Sequence, residues 1–436
     1  MIKPRLNYKG IRGSLEQIAQ NNVHRNAKVD LSNYTNIYNT SSMLEHTLNA
    51  TKHTQATTKS KELKREIKEL EGRLRDTKQD LYEIASQIPN ESHPSSPTNN
   101  VAVEVDSGGP PPIRATRTHD HLDIATRLNG TLPLSAANVS GNGFAILKAE
   151  LAVLEHVLIQ HALHVAVGRG YTLVTVPDIV KMDIANRCGF VPRDTAANQT
   201  YTVSSSGAGN SNGTARESNS GSGSNNNNGP NTLCLAATAE IPLAGLHFNE
   251  LLKHKELPIK YVACGHAFRA EAGARGRDTR GLYRLHQFTK VELFSLTDAS
   301  SSDAMLDEIV DIQREIVQTL NVPYRILDMP TQELGASAYR KYDVEAWMPG
   351  REEWGEVSSA SNCIDYQARR LLIRYKTGEG NVFAHTLNGT AAAIPRLILA
   401  LVENGVESDE SANLRLALPK SLRKYWIGSD KRIRWQ

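Results

Sequence analysis

Residues 260–294, KYVACGHAFRAEAGARGRDTRGLYRLHQFTKVELF, constrain the fold of this chain more tightly than any other stretch. They open with alternating residues of strand type. They close with a second alternating run, in which His286, Phe288, Lys290 and Glu292 share one face and Gln287, Thr289, Val291 and Leu293 the other. Two antiparallel strands joined by a long loop follow from that pattern. An ordinary hairpin needs roughly two to five connecting residues, and this loop, with Arg275, Arg277, Asp278 and Arg280 among its glycines, far exceeds that. Phe268, Arg269 and Glu271 stand just before the loop and Arg284 just after it. Guanidiniums gathered on one sheet face repel one another unless they meet a polyanion, and the planar fork of arginine suits phosphate oxygens. The pattern predicts a nucleotide ligand. Composition alone also leaves open a solvated, salt-bridged surface hairpin.

At 436 residues, 39% hydrophobic and 22% charged, the chain has room for two or three domains and a large core. A net charge of +3 is only mildly basic, so any contact with nucleic acid must come from local patches. Cys188, Cys234, Cys264 and Cys363 are widely spaced and form no CxxC pair, which argues against a zinc knuckle or disulfide framework and fits a reducing compartment. No apolar run approaches the length that spans a bilayer and no secretory segment is visible, so no membrane partner is expected. The first fifteen residues hold Lys3, Arg5, Lys9 and Arg12 and no acid, which suits either an organelle-targeting segment or the basic start of a first helix. Neither GxGxxG after a strand nor GxxxxGK[ST] occurs, so Rossmann and P-loop nucleotide binding are disfavoured.

Along the chain, residues 1–26 predict a short lead and one helix, and residues 30–58 a second helix with Ile37, Leu44 and Leu48 at helical spacing. In residues 60–88, Leu63, Ile67, Leu70, Leu74, Leu81, Ile84 and Ile88 keep a heptad-like stripe. Together these last two make an antiparallel helical hairpin, each helix of about 27 residues being about 40 Å long. A dimerisation coil and an RNA-binding arm both fit it. Pro, Gly, Ser and Asn crowd residues 89–112, which reads as a linker. A helix over 143–168 and a buried strand over 171–177 follow. Residues 204–230, rich in Ser, Gly and Asn, have almost nothing to bury and read as a surface insertion between strands near 200–202 and 233–236. A helix over 302–320, strands over 323–327, 342–348 and 355–359, and a final helix from Pro395 to about Glu403 complete an α+β pattern, an antiparallel sheet flanked by helices. The domain boundary is placed between 112 and 113.

FRAEAGARGRDTRGLYRLHQFTKVELF resembles motif 2 of class II aminoacyl-tRNA synthetases, and within them the seryl enzymes. Thr238–Ala239–Glu240 resembles their serine-binding loop; EVSS at 356–359, SNCIDYQARR at 361–370 and HTLNGT at 385–390 recur in their order. The similarity spans most of the chain. It implies that residues 1–112 form a coiled-coil arm that embraces tRNA(Ser), and that residues 113–436 form the catalytic domain. The helix and strand near 143–177 resemble motif 1, which implies a homodimer.

The implied reaction is activation of L-serine by ATP to seryl-adenylate, then transfer of serine to the 3′ end of tRNA(Ser). By the resemblance, Arg269 meets the α-phosphate and Arg396 the γ-phosphate of a bent ATP, Phe288 stacks on adenine, and Glu271 reads the base; Arg269, Glu271 and Arg396 are the catalytic set. Ala270, Leu285, Glu356, Val357, Ser358 and Ser359 complete the ATP site. Glu356 and Ser359 offer hard oxygen ligands of the kind magnesium accepts. Thr238, Ala239, Glu240, Glu292 and Thr390 form the serine pocket. Two departures stand out: Ala270 replaces a usual serine, and Ala391 and Pro395 stand where motif 3 usually has glycines. The wording is closest to bacterial and organellar enzymes, which implies a mitochondrial (matrix) protein rather than a cytoplasmic one. An adenylate-forming paralogue that loads a carrier protein, and a catalytically silent RNA-binding relative, are the competing readings.

Overall fold

The computed structural model describes residues 3–114, 120–130, 133–190, 200–203, 232–271, 281–408 and 414–436. The insertion expected at 204–230 lies outside the described residues, as does the loop segment bearing Arg275, Arg277, Asp278 and Arg280.

At the N-terminus, the single helix expected in the lead is two short ones, α1 (Tyr8–Gly13) and α2 (Leu15–His24), broken at Ser14. The hairpin follows as α3 (Tyr34–Thr58) and α4 (Lys61–Gln87). Its turn is local chemistry: Lys59 takes the left-handed conformation that stops α3, and the Ser60 hydroxyl accepts from the backbone N–H of Glu62 and Leu63 to start α4. The α4 stripe meets α3 in two small clusters, Leu44, Leu48, Leu70 and Leu74 towards the tip and Tyr34, Leu81 and Ala85 at the root. Each fully buried leucine contributes about 2 kcal/mol, so the arm is held by a thin seam.

Its root is fixed by polar contacts instead. Arg25, 2% exposed, donates to the carbonyls of Ala338 (2.9 Å) and Gly335 (2.5 Å). Asn90 Nδ2 donates to the carbonyls of Ser337 (2.8 Å) and Cys363 (2.9 Å). The segment read as a linker is therefore docked at its start, and residues Val103–Gly108 within it form a strand of the main sheet. Serine- and glycine-rich composition hid a strand whose side chains are mostly exposed at a sheet edge.

The central sheet holds β1 (Val103–Gly108), β2 (Thr172–Leu173), β3 (Ile259–Phe268), β4 (Gln287–Thr297), β5 (Tyr324–Asp328), β6 (Arg340–Met348), β7 (Glu353–Asn362) and β8 (His385–Ala393). Their spatial order is β1-β5-β6-β7-β8-β4-β3-β2, and every pair is antiparallel except β2–β3. Alternation gives the sheet two faces. One, through Val291, Leu293, Val344, Ala346, Ala360 and Leu387, packs on three helices, α5 (Glu150–Gly168), α6 (Ser302–Thr319) and α7 (Ile394–Gly405). The other carries Lys290, Glu292 and Asp343 at its centre and, further along, Phe294 and Leu296 in a second core.

Three expectations change. The helix expected from 143 begins at Glu150, because Ala149 holds φ +51° and breaks the helical path. The buried strand expected over 171–177 is only Thr172–Leu173, an exposed edge strand paired on one side. The last helix is not the end of the fold, since 406–408, 414–418 and 433–435 pair in a small sheet beyond it. Helix α5 is long and apolar enough, by length and composition, to cross a membrane, which corrects the expectation that no apolar run approaches that length; here its Leu151, Leu154, Val157, Leu158 and Ala162 lie in the core.

Candidate active site

The site lies where two strands part. The β7–β8 ladder runs from Asn362↔Leu387 to Ala360↔Gly389 and stops. Beyond it each strand carries a bulge, β7 against β6 around Val357 and β8 against β4 around Ala391. Gln313 of α6 fills the seam from below, its Nε2 donating to the carbonyls of Ser359 (2.7 Å) and Thr390 (3.0 Å) that the ladder leaves unpaired. From above, Arg396 at the start of α7 donates from Nη1 to the Glu356 carbonyl (2.8 Å) and from Nε to the Tyr283 carbonyl (3.1 Å). Pro395 sits in the first turn of that helix, where its missing N–H costs nothing. Ala391 is fully buried and its φ is not positive, so the position needs no glycine.

One pole of the site is cationic. Arg269, Glu271, Arg284, Phe288 and Arg396 line one cleft with Tyr283 and Leu285. The Arg269 guanidinium stands 5.3 Å over the Phe288 ring and that of Arg396 4.6 Å over Tyr283. Burial, and then the neighbouring Arg396, push the pKa of Arg269 down against the opposing pull of Glu356 and Glu271, and Arg396 Nη1 lies 3.6 Å from the Glu356 carboxylate. The backbone of Arg269 is fixed by its N–H donating to the His286 carbonyl (2.9 Å), and the His286 N–H in turn donates to the Gly143 carbonyl (2.8 Å). A Cβ at Gly143 would meet the His286 ring at 2.4 Å, so glycine is required there. The returning loop is pinned by His121, whose Nε2 accepts from the Leu282 N–H (3.2 Å) while Nδ1 faces buried Glu403 (2.8 Å). Arg284 pairs with Glu271 at 3.4 Å.

The other pole is anionic. Phe268 N–H donates to the Ala236 carbonyl (3.0 Å), which sets the following Thr238–Ala239–Glu240 beside the end of β3. There Glu240 (5% exposed) and Glu292 (2%) come together with one ammonium, Lys290, whose Nζ is 2.5 Å from the Glu292 carboxylate and 3.4 Å from the Thr390 hydroxyl. Burial raises the pKa of Glu240 to about 7, helped by Glu292. Burial raises Glu292 as well, against the pull of Lys290.

Between the poles, Glu356 and Ser359 are three residues apart, a spacing that in a regular strand sends side chains to opposite faces. The β7 bulge restores them to one face: Glu356 pairs with Glu345 and Ser359 with Asp343, while Val357 and Ala360 both lie in the core. Asp343 Oδ1 is buried without a hydrogen-bond partner, and its Oδ2 accepts from Lys341 at 2.7 Å. Burial pushes the Glu356 carboxyl up, but Arg396, Lys341 and Arg269 outweigh it and hold it below its ordinary value. Among the described residues no cluster of three or more His, Cys, Asp or Glu side chains is disposed to hold a metal alone. One carboxylate, one hydroxyl and a neighbouring unpartnered carboxylate oxygen do fit magnesium, which takes few protein ligands and completes its shell with water and phosphate.

The expected residues thus gather on one face of the sheet, with exceptions in orientation. Val357 and Ser358 present buried side chains, Ser358 pairing with core residue Val344, so neither side chain reaches the cleft. Ala239 is buried in the second core and Ala270 is half-buried. Lys290 and Asp343 received no role from the sequence. The signal for Lys290 was present, an ammonium two residues from Glu292 on the same strand face, but Asp343 needed the pairing register.

Residues 224–405 match the family described as tRNA synthetase class II core domain (G, H, P, S and T). The mitochondrial serine–tRNA ligase of Schizosaccharomyces pombe is 43% identical over 355 residues, covering 81% of this chain and 70% of that protein. The serine–tRNA ligase of Treponema denticola is 36% identical over 450 residues, covering 98% of this chain and 99% of that protein. Among solved structures, the seryl-tRNA synthetase from Pyrococcus horikoshii complexed with ATP aligns with a TM-score of 0.79 at 30% identity, covering 96% of this chain and 98% of the other.

Proposed function

This chain belongs to the seryl-tRNA synthetase family of class II aminoacyl-tRNA synthetases, and from that premise we propose that it activates L-serine with ATP and transfers it to the 3′ end of tRNA(Ser). The observation that carries the reading is the adjacency of the two poles: a cleft with Arg269 and Arg396 at its walls opens beside a buried Glu240–Glu292 pocket. A triphosphate answers the first and an amino acid's ammonium the second.

In this reading Arg269 holds the α-phosphate and Arg396 the far end of a folded-back triphosphate, so that the serine carboxylate attacks phosphorus in line and pyrophosphate leaves. Adenine lies on Phe288, whose ring is already faced by Arg269, with Glu271, Leu285 and the backbone of Ala270 at its rim. Val357 and Ser358 contribute backbone only. Thr238, Glu240, Glu292 and Thr390 take the ammonium and hydroxyl of serine, and a pocket that pairs the hydroxyl rejects alanine by about 10⁴. Glu356 and Ser359 would hold magnesium, which neutralises phosphate charge when bound. The arm α3–α4 takes the tRNA, and residues 113–436 with strand β1 make the catalytic unit. A homodimer is part of the proposal, supported by the outer edge of β2 and the exposed Val167 (47%) and Leu173 (54%) beside it. Placement in mitochondria rests on the relatives, which are of mitochondrial and bacterial kinds alike.

The test is ATP–pyrophosphate exchange with each amino acid in turn, followed by charging of mitochondrial and cytosolic tRNA pools. Serine-dependent exchange with charging of mitochondrial tRNA(Ser) is expected. Exchange with another amino acid but not serine overturns the reading; exchange without charging points to the carrier-loading paralogue, and RNA binding without exchange to the silent one. Sedimentation of the purified protein as a monomer would remove the dimer.

A further inference from the structure

Gln367 lies in the SNCIDYQARR run, in the short helix Tyr366–Leu371, and is fully buried. Three hydrogen bonds fix its amide. Oε1 accepts from the Thr386 hydroxyl at 2.7 Å, which fixes the orientation of the amide and leaves both Nε2 hydrogens to donate. One goes to the Cys188 carbonyl (3.0 Å) and the other to Glu240 Oε1 (2.6 Å). Asn388 Nδ2 donates to the same Glu240 oxygen at 3.0 Å and is 3.5 Å from Cys363 Sγ. Two amides from separate elements therefore converge on one carboxylate oxygen, and two points of support fix the plane of the group.

The choice of amides matters chemically. A carboxylate this deeply buried needs hydrogen bonds to remain ionised, and lysine or arginine would supply them more strongly. A second cation would also cancel the charge that the pocket presents. Glu240 and Glu292 bring two carboxyl groups to the single ammonium of Lys290, so the pocket with both ionised carries a net negative charge, the complement of an amino acid's ammonium. Neutral donors orient Glu240 without discharging it.

We infer that Gln367, seconded by Asn388, is a positioning residue of the amino-acid pocket: it holds Glu240 in the orientation that recognises the ammonium and hydroxyl of a small polar amino acid. The inference rests on the serine-activation reading above and goes beyond it, since neither amide touches the phosphate end of the cleft.

The experiment measures ATP–pyrophosphate exchange for the full chain and for Gln367→Met and Asn388→Ala, with serine, alanine and ATP each varied. Loss of a hydrogen bond to a charged group predicts KM for serine raised about 10- to 100-fold, with KM for ATP within about 2-fold and a reduced preference for serine over alanine. An unchanged KM for serine, or equal rises for serine and ATP, overturns the inference. Should Gln367→Met fail to fold, Asn388→Ala decides, since its side chain is only partly buried. If the unmutated chain shows no serine-dependent exchange, the activation reading fails, a result separate from either variant outcome.

Discussion

The two poles of the cleft confine charge of opposite sign on one sheet by opposite means. At the phosphate end, Arg396 is held by two backbone carbonyls and the Tyr283 ring and Arg269 faces the Phe288 ring, with one carboxylate, Glu356, set against the two guanidiniums. At the amino-acid end, Glu240 is held by neutral amides and only Glu292 has a cation, Lys290. Each pole gathers more of one charge than of the other, and the excess shows in the depressed pKa of Arg269 and the raised pKa of Glu240, each driven first by burial and then by a like charge. Preorganised, underpaired charge recognises a ligand because the ligand brings the missing partner.

The contrast is broken most severely at the cationic end. Removing one preorganised donor to a reacting phosphate costs about 3 kcal/mol, so Arg269→Ala and Arg396→Ala should each lower kcat for serine-dependent exchange by about 10²- to 10³-fold with little change in KM for serine. A fall in serine affinity of similar size would show that the two poles are one coupled network. Next in size is the anionic end. Glu292→Gln removes the carboxylate that balances Lys290 and should raise KM for serine by about 100-fold while ATP binding, read by nucleotide titration, stays intact.

How far these poles were readable from the sequence depended on whether a residue acts through its neighbours in the chain or through a register. The alternation in 286–293 placed Phe288 and Glu292 on one face, about 13 Å apart at 3.3 Å per residue, and the strands pair as that alternation demands. The seam of α4 was equally plain, because helical spacing carries it. Glu356 and Ser359 are a different case: their spacing predicts opposite faces, and only a bulge set by the pairing with β6 unites them. Strand β1 was missed because an exposed edge strand needs no apolar alternation, and Gln367 because its partners Cys188, Glu240 and Thr386 are scattered along the chain.

A pH titration sharpens the contrast further. Glu240 must be ionised to pair with an ammonium, and burial raises its pKa to about 7. KM for serine should therefore rise as pH falls below about 7, approaching tenfold per unit, while KM for ATP follows a different profile. The stability of the ligand-free protein runs the other way. A carboxyl whose folded pKa lies above its unfolded value contributes stability that is fully present below the ordinary 4.5 and is lost as pH climbs through about 7. Glu240→Gln should remove that slope from the melting temperature between those limits; an unaltered slope would assign it to another group.

The smallest effect is expected between the poles, at Ala391. It occupies the β8 bulge that lets the strands part, a place where glycine would be chosen if the turn demanded positive φ. The backbone there is not of that kind, and the alanine side chain is fully buried in the core beneath the cleft. Ala391→Gly should thus leave exchange within about 2-fold and cost about 1 kcal/mol of stability, from the added freedom of the unfolded chain and the lost methyl contact. Melting temperature and exchange measured on the same preparation check it. A gain in kcat would mean that the methyl holds the two poles at a spacing short of the best one, and that the separation of charges along this sheet is set by the bulge itself.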